Sequence, residues 1–296
     1  MAQLDQAVET ARAVLSGRYR LLLDTTSWSH DETGIHVSGS VLVDAQATFY
    51  STFIGDEMGL PAPRPAVLSA LDFDWRSLEW REVPESQVID LHRGPSDDDL
   101  QTQWTGPAFV RWFADEDSRS LIQLPDGTLG WTAQDSLLKA AASSDPWTSI
   151  LRPEKGQSIP VSAPLADAAR QARLRLGNPY LWGGNTPAAA DCSGLVQDLV
   201  YRNSGVLLPK HTADQRKHGA RVAAASIQPG DLVFVRGRER SIGHVGLALP
   251  GTGEDPVTVV HSCLTKNKVM EEPLETFISR YRFTGARRPV CWDSSS

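Results

Sequence analysis

Cysteine is scarce in this chain: its 296 residues hold three, Cys192, Cys263 and Cys291. An odd, widely spaced set builds no disulfide framework. It fits a reducing compartment, where a cysteine is buried, catalytic or metal-bound. Basic residues are outnumbered, 29 Lys and Arg against 36 Asp and Glu, for a formal net charge of −7. That argues against nucleic-acid binding, which would need a basic patch or stripe. No apolar run approaches the ~20 residues of a spanning helix. The longest, such as Leu21–Leu23 and Leu232–Val235, are strand-sized, so no membrane partner is expected. The opening Met1 to Glu9 has neither a basic n-region nor an apolar h-region. It does not read as a secretory signal, and a cytoplasmic location is expected. A trimmed N-terminus would put the same domains in a secreted protein.

At roughly 100–200 residues per domain the length suggests two or three domains. Gln6–Leu15 suits a short helix. Tyr19–Leu23, Gly34–Val43 and Thr48–Phe53 carry β-branched and aromatic residues in partial alternation and are predicted strands. Leu60 to Pro65 is a proline-rich break. Farther on, Phe109–Phe113 and Ser120–Leu124 are predicted strands, Pro125-Asp126-Gly127 a turn, and Gly130-Trp131 the opening of another strand. Short strands with tight turns predict a small β-barrel over residues 86–142. Residues 143–163, with Pro146, Pro153, Gly156 and Pro160, read as a linker.

Composition then shifts. Pro164–Leu176 is predicted helical, with Leu165, Ala168, Ala169, Ala172 and Leu176 on one face and Ser162 as its cap. A second helix follows Cys192, with Leu195, Val196, Leu199 and Val200 inward and Gly205 past its end. Strands are predicted at Asp231–Val235, His244–Leu249, Val257–His261 and Arg282–Arg287. Helices first and strands after is an α+β order.

Cys192 lies in Asp191-Cys192-Ser193-Gly194, at the first turn of that second helix. A helix N-terminus favours the thiolate, which is the nucleophilic form, and so lowers the thiol pKa. Taken alone, such a cysteine is more often simply buried. His244, in Gly243-His244-Val245-Gly246, supplies a base; cysteine plus a distant histidine is the minimum set for nucleophilic catalysis. His261 ends another predicted strand and can orient that base. Asp191 is placed to cap the helix, and Thr212-x-x-Gln215 reads as a capping box. Cys192, Cys263, His244 and His261 could be drawn together as zinc ligands, but no close ligand pair such as C-x-x-C is present.

An ordered series carries a resemblance. Asn178-Pro179-Tyr180-Leu181-Trp182-Gly183-Gly184, Asp191-Cys192-Ser193-Gly194-Leu195, Pro209-Lys210-His211-Thr212, Gln228-Pro229-Gly230-Asp231-Leu232-Val233-Phe234, Gly243-His244-Val245-Gly246 and Val260-His261-Ser262 occur in this order. Together they resemble the NlpC-type (NlpC/p60) cysteine peptidases of bacteria, over roughly residues 160 to 290. The resemblance implies an α+β papain-like catalytic domain at residues 164–296. It implies Cys192 as nucleophile, His244 as base and His261 as orienting residue, with no metal and no cofactor. Tyr180, twelve positions before the cysteine, matches a tyrosine that assists at the oxyanion. Asp191 and Ser193 match a pair that binds a free substrate ammonium, and Thr212 falls where relatives place a substrate-contacting hydroxyl.

Residues 86–142, through Thr102-Gln103-Trp104-Thr105-Gly106 and Leu124-Pro125-Asp126-Gly127-Thr128-Leu129-Gly130-Trp131, resemble a bacterial SH3-like domain. Residues 1–85 are a candidate diverged second copy. In such relatives the SH3-like domains pack on the catalytic domain and wall its groove, and Trp104 is a candidate for that wall or for a barrel core.

The implied activity is an endopeptidase that cleaves the γ-D-Glu–diamino acid bond of murein stem peptides bearing a free N-terminal L-Ala, in cell-wall recycling. The alternatives are an exported cell-wall hydrolase and a non-catalytic peptidoglycan-binding protein.

Overall fold

A computed structural model describes residues 2–19, 24–42, 44–67, 79–96, 98–237, 243–251 and 253–293. The chain divides into two compact units, Met1–Asp99 with Gly106–Thr148, and Leu100–Thr105 with Ser149–Ser296.

The first unit opens with helix α1 (Ala2–Tyr19), then strands β1 (Ser27–Asp31), β2 (Gly34–Ser38) and β3 (Ser40–Val41), helix α2 (Asp44–Met58), and strand β4 (Ala66–Val67). Leu4, Val8, Ala11 and Leu15 recur at spacings of four, three and four, so one face of α1 is apolar. It packs against Ala47, Tyr50 and Ile54 of α2. This corrects one expectation: Thr48–Phe53 is helical, not a strand. Its β-branched and aromatic residues favour extension locally. The burial gained against α1 outweighs a propensity difference of under about 1 kcal/mol per residue. Tyr19 ends α1, and the rest of the expected strand, residues 20–23, lies outside the described residues, as does Val43.

The larger sheet of this unit is built from β5 (Glu79–Val83), β6 (Val88–His92), β8 (Ala108–Glu116), β9 (Arg119–Gln123), β10 (Leu129–Ala133) and β11 (Leu138–Ala140), in the order β11-β5-β8-β9-β10-β6. The expected turn is present. Gly127 has φ +89°, its N–H donates to Leu124 O at 2.9 Å, and Thr128 N–H donates to Asp126 Oδ1 at 2.9 Å. The N-terminal region is thus β-rich with two added helices, and no pairing among the described residues closes the sheet into a barrel.

The second unit takes in β7 (Leu100–Thr105), whose Trp104 is buried with its ring centroid 5.9 Å from that of Tyr201. It continues through β12 (Ile159–Pro164), α3 (Leu165–Arg173), α4 (Cys192–Ser204), α5 (Thr212–Gln215), β13 (Ala220–Val222), β14 (Leu232–Arg236), β15 (Gly243–Pro250), β16 (Val257–Cys263), β17 (Lys268–Pro273), α6 (Leu274–Arg280), β18 (Arg282–Arg288) and β19 (Val290–Asp293). The predicted helices and strands of this half are therefore present. Two details differ. The N-cap position of α3 is Pro164, with no side-chain bond, and not Ser162; the helix ends at Arg173, and Leu176 beyond it is exposed. Residues 149–163 are counted with this unit, and Ile159–Pro164 pairs in parallel with β19.

Six antiparallel strands form the sheet β13-β18-β14-β15-β16-β17. Alternation splits each strand between two layers. Leu232, Phe234, Val245, Leu247 and Val260 meet Leu195, Val196, Leu199 and Val200 of α4. Val233, Val235, Ala248 and Val259 meet Phe277 of α6 on the other side. Residue 242 and the loop residue 252 lie outside the described residues.

Candidate active site

Cys192 is the first residue of α4. Asp191 is its N-cap: the carboxylate accepts the Gly194 N–H at 2.6 Å, one of the donors that a helix start leaves unpaired. At the far end Gly205 takes the left-handed conformation, φ +71°. A Cβ on Gly194 would lie 2.1 Å from the Gly184 carbonyl oxygen. The Asp191-Cys192-Ser193-Gly194 sequence thus needs glycine so that the loop carrying Tyr180 can cross the helix start.

Asp191 has further partners. It accepts from Ser193 Oγ and from Gly183 N–H, each at 3.0 Å. Lys210 Nζ donates to both of its oxygens, at 2.9 and 2.7 Å. The Lys210 side chain is only 2% exposed and that of Asp191 13%. A carboxylate offers roughly four lone-pair sites, and all are taken by internal donors.

Two histidines complete the cluster. Cys192 accepts a hydrogen bond from the Val245 backbone on β15, next to His244. His244 Nε2 lies 2.9 Å from His261 Nδ1. Strand alternation places His244, Gly246 and Ala248 on one face. A Cβ on Gly246 would meet Val259 Cγ1 at 2.4 Å and His261 Cβ at 3.3 Å, so this glycine lets the two strands bring their histidines together. Phe277 and Tyr281 pack on the pair, with ring centroids 4.8 Å from His261 and 5.5 Å from His244. His261 is fully buried, and its Nε2 lies 3.0 Å from Glu272 Oε1.

Thr212 is the first residue of α5, not its cap; the N-cap is His211, with no side-chain bond. The expected capping box is absent. Gln215 instead donates to the Ser193 and Pro209 carbonyls at 3.0 and 2.9 Å. Thr212 Oγ1 is 3.9 Å from Cys192 Sγ. Tyr180 holds its proton more tightly than a free phenol, first through burial and then through the nearby Cys192 and Asp191 charges. It is therefore a neutral O–H donor near the thiol. Among the described residues no group of three or more His, Cys, Asp or Glu side chains is placed to hold a metal ion.

The structure corrects the expected thiol acidity. Burial and the Asp191 carboxylate push the Cys192 thiol up to about 11, against smaller opposing effects from Val245 N–H, Thr212 and Lys210. Burial, with His261 adding to it, pulls His244 down to about 3. At rest Cys192 is a neutral thiol and His244 a neutral imidazole. Both shifts couple to stability. His244 binds a proton more readily unfolded than folded, so its contribution is present above the unfolded value of ~6.5 and lost as pH falls toward 3. Cys192 behaves oppositely: its contribution is present below an unfolded value of ~8.5 and lost as pH rises toward 11. Denaturation midpoints measured across pH should fall on both sides of a plateau from about pH 6.5 to 8.5. His244→Ala should flatten the upper part of the acid limb, above the ordinary carboxylate range where Asp24 and Glu271 add to it, and leave the alkaline limb unchanged.

Sequence reasoning assigned no role to Lys210, Glu272 or Arg280. Lys210 lay within a quoted motif, and its signal is a lone cation separated only by Pro209 from the apolar run Val206–Leu208. Glu272 gave no signal, since its pairing with His261 runs across two strands.

The NlpC/P60 family profile matches residues 177–288. A gamma-D-glutamyl-L-lysine dipeptidyl-peptidase of Bacillus cereus is 31% identical over 126 residues, 41% of this chain and 35% of that protein. A probable endopeptidase of Corynebacterium glutamicum is 30% identical over 149 residues, 49% of this chain and 66% of that protein. The crystal structure of an NlpC/P60 family protein from Bacillus cereus is 21% identical, with a TM-score of 0.39, covering 75% of this chain and 67% of that one. The chain spans about a third of the dipeptidyl-peptidase's length and just under two thirds of the endopeptidase's. With Cys192, His244 and His261 all inside the matched span, residues 177–288 are an NlpC/P60 family domain.

Proposed function

We propose that this chain is a cysteine endopeptidase that cleaves the γ-D-Glu–diamino acid bond of murein stem peptides. The observation that carries this is the helix-capped Cys192 bonded to strand β15 beside His244, which is itself 2.9 Å from His261. The name of the Bacillus cereus relative supports the choice of bond.

In this reading the Cys192 proton passes to His244 as sulfur attacks the γ-carbonyl carbon of D-Glu. The S–C bond forms, the carbonyl becomes an oxyanion, and the Tyr180 hydroxyl and the Cys192 N–H donate to it. Collapse breaks the C–N bond, and His244 returns its proton to the leaving amine. Water, deprotonated by His244, then hydrolyses the thioester and restores the thiol. Because both resting groups are neutral, proton transfer accompanies attack and no thiolate waits for substrate. Residues 86–142 are proposed to be an SH3-like module, on the strength of their turn and strand pattern.

The free-amine requirement implied by Asp191 and Ser193 draws no support from their geometry. A substrate ammonium at Asp191 would have to displace Lys210 from both oxygens. That removes the expected preference for free recycled fragments over peptides whose alanine is acylated, as in intact wall. We expect L-Ala-γ-D-Glu-L-Lys and its N-acetyl form to be cleaved at rates within about threefold of each other, followed by mass spectrometry. Cleavage of the free-amine peptide alone would restore the recycling reading. Cleavage of neither would remove the peptidase assignment.

A further inference from the structure

We propose that Glu272, held by Arg280, is a positioning residue that sets the proton pattern of the two-histidine relay and leaves His244 Nδ1 bare for the Cys192 proton. The inference rests on the peptidase reading for the role of Cys192, but its tautomer content stands on geometry alone.

The register places these groups. Glu272 on β17 pairs opposite Val259 and His261 pairs opposite Met270. Glu272 and His261 are therefore diagonal neighbours on one face. Glu272 Oε1 lies 3.0 Å from His261 Nε2, and Oε2 lies 2.8 Å from Arg280 Nη2 at the end of α6. The Glu272 side chain is 6% exposed and that of His261 0%.

Proton counting follows. A carboxylate only accepts, so His261 Nε2 carries hydrogen. A neutral imidazole carries one such hydrogen, which makes His261 Nδ1 an acceptor. Across the 2.9 Å contact His244 Nε2 must then donate. His244 Nδ1 is left without hydrogen, and that nitrogen alone can take a proton from the thiol. With the opposite pattern, His244 would present N–H to sulfur and could not act as base.

Arg280 makes the proposal testable with an isosteric change. In Glu272→Gln the positive guanidinium, 40% exposed, attracts the oxygen end of the amide dipole, so the amide turns its carbonyl to Arg280 and its NH₂ to His261 Nε2. His261 must then accept there, donate from Nδ1, and force hydrogen onto His244 Nδ1. Replacing the carboxylate that fixes a catalytic imidazole's tautomer by an amide lowers kcat by about 10⁴-fold. A fall of that order is expected here, with KM within about threefold. In Glu272→Gln/Arg280→Met nothing dictates the amide's orientation, and kcat should recover by about tenfold or more over the single variant.

Long-range ¹H–¹⁵N spectra of the full-length chain read the tautomers without any activity. Both rings should be Nε2–H in the native protein and Nδ1–H in Glu272→Gln. Unchanged tautomers in the single variant, or a cationic His261 in the native protein at neutral pH, would overturn the proposal. So would an equal kcat for the single and double variants. If the native protein cleaved no peptide, the peptidase reading would fall and the spectra would still decide the role of Glu272.

Discussion

Cys192→Ala is expected to abolish peptide hydrolysis while leaving the fold intact. Removing the nucleophile from a site that works as a unit costs about 10⁶-fold in kcat. The thiol is small, and the Asp191 cap bonds to Gly194 N–H and not to sulfur. Stability near neutral pH should therefore change by no more than about 1 kcal/mol. Between about pH 8.5 and 10, below the range where the buried tyrosines titrate, the alkaline limb of the stability profile should disappear with the thiol, because that part is the cost of holding a proton on a buried Cys192. Hydrolysis by the alanine variant at even a hundredth of the native rate would mean that another group attacks. A limb persisting in that range would mean that another group titrates.

Lys210→Met should be the most destabilising single change at the site. It keeps the length of a side chain that is 2% exposed but removes the cation bonded to both Asp191 oxygens. Breaking one side of a buried ion pair leaves the other charge without compensation and costs about 3–5 kcal/mol. At about 2–4 °C per kcal/mol for a unit of this size, melting should fall by roughly 10 °C. Catalysis should also weaken. The Asp191 charge already raises the Cys192 thiol and Lys210 opposes it, so losing the lysine makes the thiol harder to ionise. Adding Asp191→Asn should recover part of the lost stability by removing the orphaned charge. A melting change under about 2 °C in Lys210→Met would show that water reaches Asp191 and replaces the lysine.

Much of the second unit was legible in the sequence. The second helix after Cys192 was visible because Leu195, Val196, Leu199 and Val200 follow the helical period and Gly205 ends it. The strands around His244 and His261 were visible because their apolar runs are short and β-branched. Legibility failed where burial against a distant segment overrode local preference. Residues 48–53 read as extended, yet fold as α2 because Ala47, Tyr50 and Ile54 bury against α1. Thr212 and Gln215 have capping-box spacing, yet Gln215 is drawn to the Ser193 and Pro209 carbonyls, which no local pattern predicts.

By itself the sequence determined the chemistry available: a cysteine at a helix start with an aspartate before it, and two histidines on later strands. These follow from periodicity and spacing within single elements, which sequence order records. Only the tertiary structure decided how those groups are charged and oriented. Lys210 reaches Asp191 across 19 positions, Glu272 reaches His261 across 11, and Arg280 closes on Glu272 from the end of a separate helix. The thiol's acidity was decided in the same way, since burial acts on Cys192 from every element packed around it and outweighs the helix terminus that the local sequence reveals. Pairings across strands and the exclusion of water are properties of the assembled fold, and no window along the chain contains them.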